Sequence, residues 1–245
     1  MNRFEYRSRL LVLFILWWLA WAYKPWHPSD WVLENILTVA FVTVLILTRH
    51  VFRLSNVSYT VLFIFLCLHT IGSHYTYADV PYEQWTAYLG FSVNDWFGFE
   101  RNHFDRLVHF LFGLLFAYPM REFFMRIAGT RGAWSYYLPV ELVMALSMLY
   151  ELIEWAATMV VGGELGMAYL GTQGDVWDAH KDMGLATLGA CLGMLIVAGI
   201  NAYYQRDFAD EFLHSLKVKI PTPLGEVKLR EYRDERRGGE APGEG

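Results

Sequence analysis

Residues 171–190, GTQGDVWDAHKDMGLATLGA, set Asp175, Asp178 and Asp182 at the threshold of an apolar run that continues to Tyr204. Asp178 and Asp182 are four apart and so share one face of a helix. Other groups repeat the pattern. Asp105 and His109 are also four apart, with Asn102 one turn earlier. Glu151 and Glu154, in YELIEW, are three apart, and His69 and His74 close a further apolar run. An ionisable side chain inside a bilayer span costs about 2.5–3.5 kcal/mol on insertion scales, so each of these needs a reason. Carboxylates gathered there require a cation, a proton or mutual pairing to offset their repulsion. Mixed imidazole and carboxylate donors suit a divalent metal: zinc, iron or manganese. The residues expected to hold it are Asp105, His109, Asp178, Asp182, His69 and His74. A metal so held acidifies a water, and Glu151 or Glu154 is the expected general base.

Blander roles compete for the same residues. Asp105, Asp178 and Asp182 suit the first turn of a helix, where an acid favours the dipole. Pairing with Arg101 or Arg106 would satisfy one of the two glutamates. His69 suits a buried hydrogen bond, His103 and His180 suit the membrane interface, and Glu141 suits a snorkelling position. The DxxxH, ExxE and DxxxD spacings are individually weak. The chain contains no HExxH, GxSxG, P-loop or GxGxxG motif, and no ExxH pair of the di-iron type at these positions. Agreement between separate helices carries the metal reading.

The elements that must bring these residues together are membrane helices. The chain has 245 residues, 55% hydrophobic and 17% aromatic, above what a soluble domain of this length carries. Apolar segments run over 10–23, 31–48, 57–73, 106–120, 136–161 and 183–204. Tryptophans 17, 18, 21, 26, 31, 96 and 177 lie near their ends, as an interfacial belt requires. The fold expected is an all-α polytopic membrane bundle of about six spans over residues 1–205, with a polar, partly disordered cytoplasmic tail over 206–245. The tail opens on a helical stretch, RDFADEFLHSLKVK, and breaks at Pro221 and Pro223. A signal peptide is the competing reading of the first segment. The tryptophans crowded before Ala20-Trp21-Ala22 favour its retention.

Basic residues fix the expected orientation. Arg3, Arg7 and Arg9, then Arg49 and Arg53, then Arg121, Arg126 and Arg131 occupy the loops on the N-terminal side, while the alternate loops are acidic. The positive-inside rule places both termini in the cytoplasm and all the candidate residues in the outer part of the bundle. Below Asp182 the same helical stripe reads Ala186, Gly189, Gly193, a GxxxG that invites close helix approach and turns the carboxylate face toward protein. Cys67 and Cys191 lie in apolar runs and read as small hydrophobes. A net charge of −5 with no dense basic run excludes nucleic acid as a partner.

At NHFDRLVHFLFG (102–113), YELIEW (150–155) and QGDVWDAHKDM (173–183) the chain resembles the YjdF-like bacterial inner membrane proteins, a family defined only as a domain of unknown function. The resemblance covers roughly residues 30–205 and implies a multi-pass inner membrane protein, with no established activity. Three functions fit. The first is a metal-dependent hydrolase of a lipid or envelope substrate. The second is a cation- or proton-coupled transporter. The third is a non-catalytic scaffold in the lipid bilayer whose tail binds a cytoplasmic partner.

Overall fold

A computed structural model describes residues 3–161, 172–205, 208–219 and 223–238. Its helices are α1 (Arg3–Trp21), α2 (Pro28–Thr48), α3 (Asn56–His74), α4 (Tyr82–Ala87), α5 (Val93–Phe97), α6 (Phe104–Ile127), α7 (Trp134–Val161), α8 (Asp178–Tyr204), α9 (Phe208–Ser215) and α10 (Leu224–Gly238). The described residues contain no strand. Five helices, α2, α3, α6, α7 and α8, are long and apolar enough to cross a membrane. Of the six expected spans, five have such a helix among the described residues. The helix at the first segment is α1, which extends back over Glu5, Arg7 and Arg9 and so falls outside that set.

The long helices outrun the apolar runs that announced them. α8 begins at Asp178 and not near residue 183, and α6 continues from Phe104 through Pro119 to Ile127. Hydropathy marks the part of a helix suited to lipid, whereas backbone hydrogen bonding continues into the polar flanks. The carboxylates at these ends are therefore helical residues with fixed directions.

α6 and α8 form the closest pair, with α7 against both and α3 against α6. Small residues permit that approach. A Cβ at Gly113 would strike the Ala186 carbonyl oxygen, and one at Gly189 would strike the Phe110 carbonyl oxygen. One at Gly193 would come within 2.8 Å of the Leu114 carbonyl oxygen. Beneath the polar ends lies an apolar core of Leu62, Phe116, Ala117, Val143, Ala186 and Met194. At the far end, Glu122 of α6 accepts the Ser55 N–H at 2.9 Å and the Ser58 hydroxyl at 2.6 Å, fixing the start of α3.

α1 is tied to the bundle by side chains. The Tyr6 and Thr60 hydroxyls are 2.6 Å apart, Trp17 Nε1 donates to the Cys67 carbonyl, and Trp18 Nε1 donates to Asn35 Oδ1. In the long connection before α6, Ser92 caps α5, and Glu83 accepts the Asn94 N–H at 2.7 Å. The tail is less separate than its polarity suggests. Ser215, ending α9, accepts the Ala133 N–H at 2.9 Å and takes the Trp134 indole N–H on its carbonyl at 3.0 Å. Beyond Pro223, α10 is a helix that the proline and charge pattern did not announce; LGEVKLREYRDERRG is rich in good helix formers. Residues 240–245, EAPGEG, expected to be disordered, lie outside the described residues.

Candidate metal centre

The first turns of α6 hold Asp105 and His109 on one face, with His109 Nε2 3.6 Å from Asp105 Oδ1. α7 brings Glu151 Oε1 to 3.6 Å from the same nitrogen. α8, drawn close by its glycines, brings Asp182. One ligand atom from each of Asp105, His109 and Asp182 lies within 4.8 Å of the others, and this is the group of that kind among the described residues. Asp182 is 2% exposed, and both its Oδ1 and Glu151 Oε1 are buried without a hydrogen-bond partner. Buried carboxylate oxygens left bare cost about 1–3 kcal/mol each or more, which a bound cation would remove. Glu154 completes the α7 pair: it feels the charges of Glu151, Glu34 and Asp105.

The remaining expected ligands do other work. Asp178 faces two arginines: its Oδ1 accepts from Arg101 at 2.5 Å and from Arg106 at 3.4 Å. Asp175 closes the square, accepting from Arg106 at 2.5 Å, Arg101 at 3.4 Å and Lys181 at 2.5 Å. Arg101 and Arg106 therefore pair with these aspartates and not with Glu151 or Glu154. Arg101 precedes α6 and Arg106 lies in its first turn, and both meet the residues that enter α8. The Lys181 hydrogen bond, with the Trp177 N–H and Arg106, holds the Asp175 carboxyl below the usual aspartate range. His69 shares a short hydrogen bond between its Nδ1 and the Tyr77 hydroxyl. His74 Nδ1 donates to the Trp21 carbonyl at 2.7 Å and packs edge-on against the Trp21 ring, joining the ends of α1 and α3. Neither histidine belongs to the Asp105, His109, Asp182 group.

The sequence reading missed the acids of α2. Asp30 is 1% exposed with both carboxylate oxygens unpartnered, and Glu34 is 5% exposed. Glu34 accepts from the Tyr150 hydroxyl at 2.9 Å and feels the Asp105 charge. Tyr150 in turn packs edge-on against His109, ring centres 5.8 Å apart. The signal was present: Asp30 and Glu34 have the same i, i+4 spacing as Asp178 and Asp182. An apolar boundary drawn at residue 31 put Asp30 outside the span and left Glu34 unweighed.

The comparisons with known proteins match this picture. Residues 6–203 match the DUF2238 family, described as a predicted membrane protein. The chain is 35% identical to the inner membrane protein YjdF of Escherichia coli (strain K12) over 179 residues, 73% of this chain and 82% of that protein. The chain belongs to the DUF2238 family. It is a multi-pass protein of the bacterial inner membrane. No solved structure matches it. The match spans α1 through most of α8, and so covers every residue of the candidate centre.

Proposed function

We propose that this protein is a metal-dependent hydrolase acting on a lipid or envelope substrate at the outer leaflet, with both termini in the cytoplasm. The observation that carries the reading is Asp182. It is a carboxylate 2% exposed, with one oxygen lacking any hydrogen-bond partner, set within 4.8 Å of ligand atoms from Asp105 and His109. Two carboxylates and one imidazole suit zinc, iron or manganese. A divalent cation there supplies Lewis-acid polarisation and an acidified water. The chain supplies the rest. Asp105 and Asp182 offset the cation's charge. Glu151 Oε1, 3.6 Å from His109 Nε2, stands beside the site to accept a proton, and Glu154 shares a side-chain hydrogen bond with the Glu151 carboxyl. The Arg101–Arg106–Asp175–Asp178 network braces the entry to α8 and leaves the trio to the metal.

The test is metal analysis of the purified full-length protein, with melting followed before and after chelation. About one equivalent of metal, a melting temperature lowered by chelation, and loss of both in His109→Ala support the centre. No metal, with melting unchanged on chelation, rejects it. For hydrolysis, liposomes of bacterial polar lipid are incubated with the protein, and products are read by mass spectrometry. Metal-dependent product, lost in Glu151→Gln, is expected, and its absence across phospholipid and envelope-precursor substrates rejects the hydrolase.

The second reading, an ion-coupled carrier, draws on Asp30 and Glu34. These extend the acids to another helix, with Tyr150 linking Glu34 toward His109. The apolar core beneath the acids weighs against it, since a transported ion needs a polar path through Phe116, Ala117, Ala186 and Met194. Cation uptake by reconstituted vesicles, abolished by Glu34→Gln, would overturn the hydrolase in favour of the carrier.

A further inference from the structure

The opposite end of the bundle holds a second chemistry. There α1, α2 and α3 enclose a cavity of about 190 Å³. Its floor is apolar: Phe14, Leu62 and Leu66 are buried, with Leu45 beside them. Its rim is basic, with Arg7 from α1 and Arg49 and Arg53 from the connection after α2. Arg7 stands over the Tyr59 ring at 5.7 Å, and Arg49 Nε donates to His50 Nε2 at 3.0 Å, so the rim side chains are gathered at one mouth. A basic rim around one mouth suits an anion. Glu122, toward the same end of α6, is committed to Ser55, Ser58 and Arg126. Among the described residues, neither Arg49 nor Arg53 forms an ion pair with a carboxylate. On the same stretch of α2, Val44 and Leu47 are exposed, so the surface beside the mouth continues as one suited to acyl chains.

An apolar hollow under a basic rim calls for a molecule with an anionic head and a hydrocarbon body. We infer that the α1–α2–α3 cavity is a binding site for an anionic glycerophospholipid. An acyl chain fills the hollow over Phe14, Leu45, Leu62 and Leu66, and the phosphate is held by Arg7, Arg49 and Arg53. Guanidinium forks match phosphate oxygens in pairs, which explains why the rim is arginine. Basic loops alone attract anionic surfaces without a site. The hollow beneath the rim is what distinguishes a bound lipid from that diffuse attraction. The inference is independent of the metal centre, which lies at the other end of the bundle.

The test uses the full-length protein in phosphatidylcholine nanodiscs into which phosphatidylglycerol is titrated. Bound lipid is counted by native mass spectrometry, and melting is followed in parallel. The wild type should retain phosphatidylglycerol in preference to phosphatidylcholine and melt higher with it. Attraction of about 1 kcal/mol per arginine corresponds to about five-fold each, so Arg49→Gln/Arg53→Gln should bind about 25-fold more weakly. Val42→Phe, which fills the cavity wall while keeping every charge, should also lose the bound lipid. Equal retention of the two lipids overturns the site. So does undiminished phosphatidylglycerol binding by Val42→Phe, which would mean surface attraction alone. Equal stabilisation by inorganic phosphate would mean an anion site without an acyl chain, and overturns it as well.

Discussion

Asp182 is the residue on which the candidate centre turns, because its burial is worth something only if a cation meets it. Asp182→Asn should separate two effects. In chelated protein the substitution removes a bare buried charge, so the variant should melt no lower than the wild type. In metal-loaded protein it should lose most of the ligand stabilisation, about 2.7 kcal/mol for a wild type held at a hundred times its Kd. Paired melts with and without metal read the difference, and a variant that keeps the full metal shift removes Asp182 from the ligand set. Asp175 makes the contrasting case, a carboxylate already well partnered. Lys181, the Trp177 N–H and Arg106 depress its folded pKa, so its contribution to stability is fully present above the unfolded aspartate value and is lost as pH falls through the folded one. Asp175→Asn should therefore destabilise at neutral pH, with the deficit shrinking only below about pH 4, where unfolded aspartates take up protons. Melting across acid pH checks this, and a deficit that shrinks between pH 6 and 8 would assign it to another group.

The pairing of α6 with α8 positions Asp182, and its glycines can be tested against each other. Gly189 has no room for a side chain: a Cβ there would strike the Phe110 carbonyl oxygen. Gly184, on the same helix, has nothing within 4 Å. Gly189→Ala should cost about 1–3 kcal/mol as overpacking, while Gly184→Ala should be neutral or gain up to about 1 kcal/mol of helix propensity. Chemical denaturation of both in one detergent measures the contrast, and equal behaviour would break the close-approach account. This face was legible in the GxxxG stripe below Asp182, because close packing between helices selects small residues at fixed spacing. The α2 face was not. Asp30 fell just outside the apolar segment and Glu34 went unweighed, and only the packing of α2 near α7 showed that Tyr150 meets Glu34. The same limit hid the fate of Asp178. Its spacing from Asp182 was readable, but Arg101 lies 77 residues away in sequence and reaches it through the fold.

Taken as a whole, the bundle separates its charges along its length. Acids, His109 and the arginine latch gather at the end carrying the starts of α2, α6 and α8, and the apolar core divides them from the arginine rim at the other. That polarity makes the orientation testable in a background with Cys67 and Cys191 replaced by serine. Tyr88→Cys, at a position 91% exposed between α4 and α5, should react with an impermeant maleimide in intact spheroplasts. Ala128→Cys, in the exposed turn after α6, should react only after lysis. The reverse pattern would turn the molecule over and put the candidate centre in the cytosol.

The sequence by itself determined that the protein is helical and membrane-embedded, which residue types collect at one end, and which face of α8 is small enough to approach a neighbour. These follow from local chemistry: lipid selects apolar runs, the helical repeat aligns residues three and four apart, and basic loops cluster by side. Only the tertiary structure decided which of the aligned acids share a site. It joined Asp105, His109 and Asp182 and gave Asp178 to Arg101 and Arg106. It kept His69 with Tyr77 and His74 with Trp21, and added Asp30 and Glu34 from α2. Partner choice at a buried polar group depends on distances of a few ångströms between helices far apart in the chain, and no periodicity within one helix encodes them.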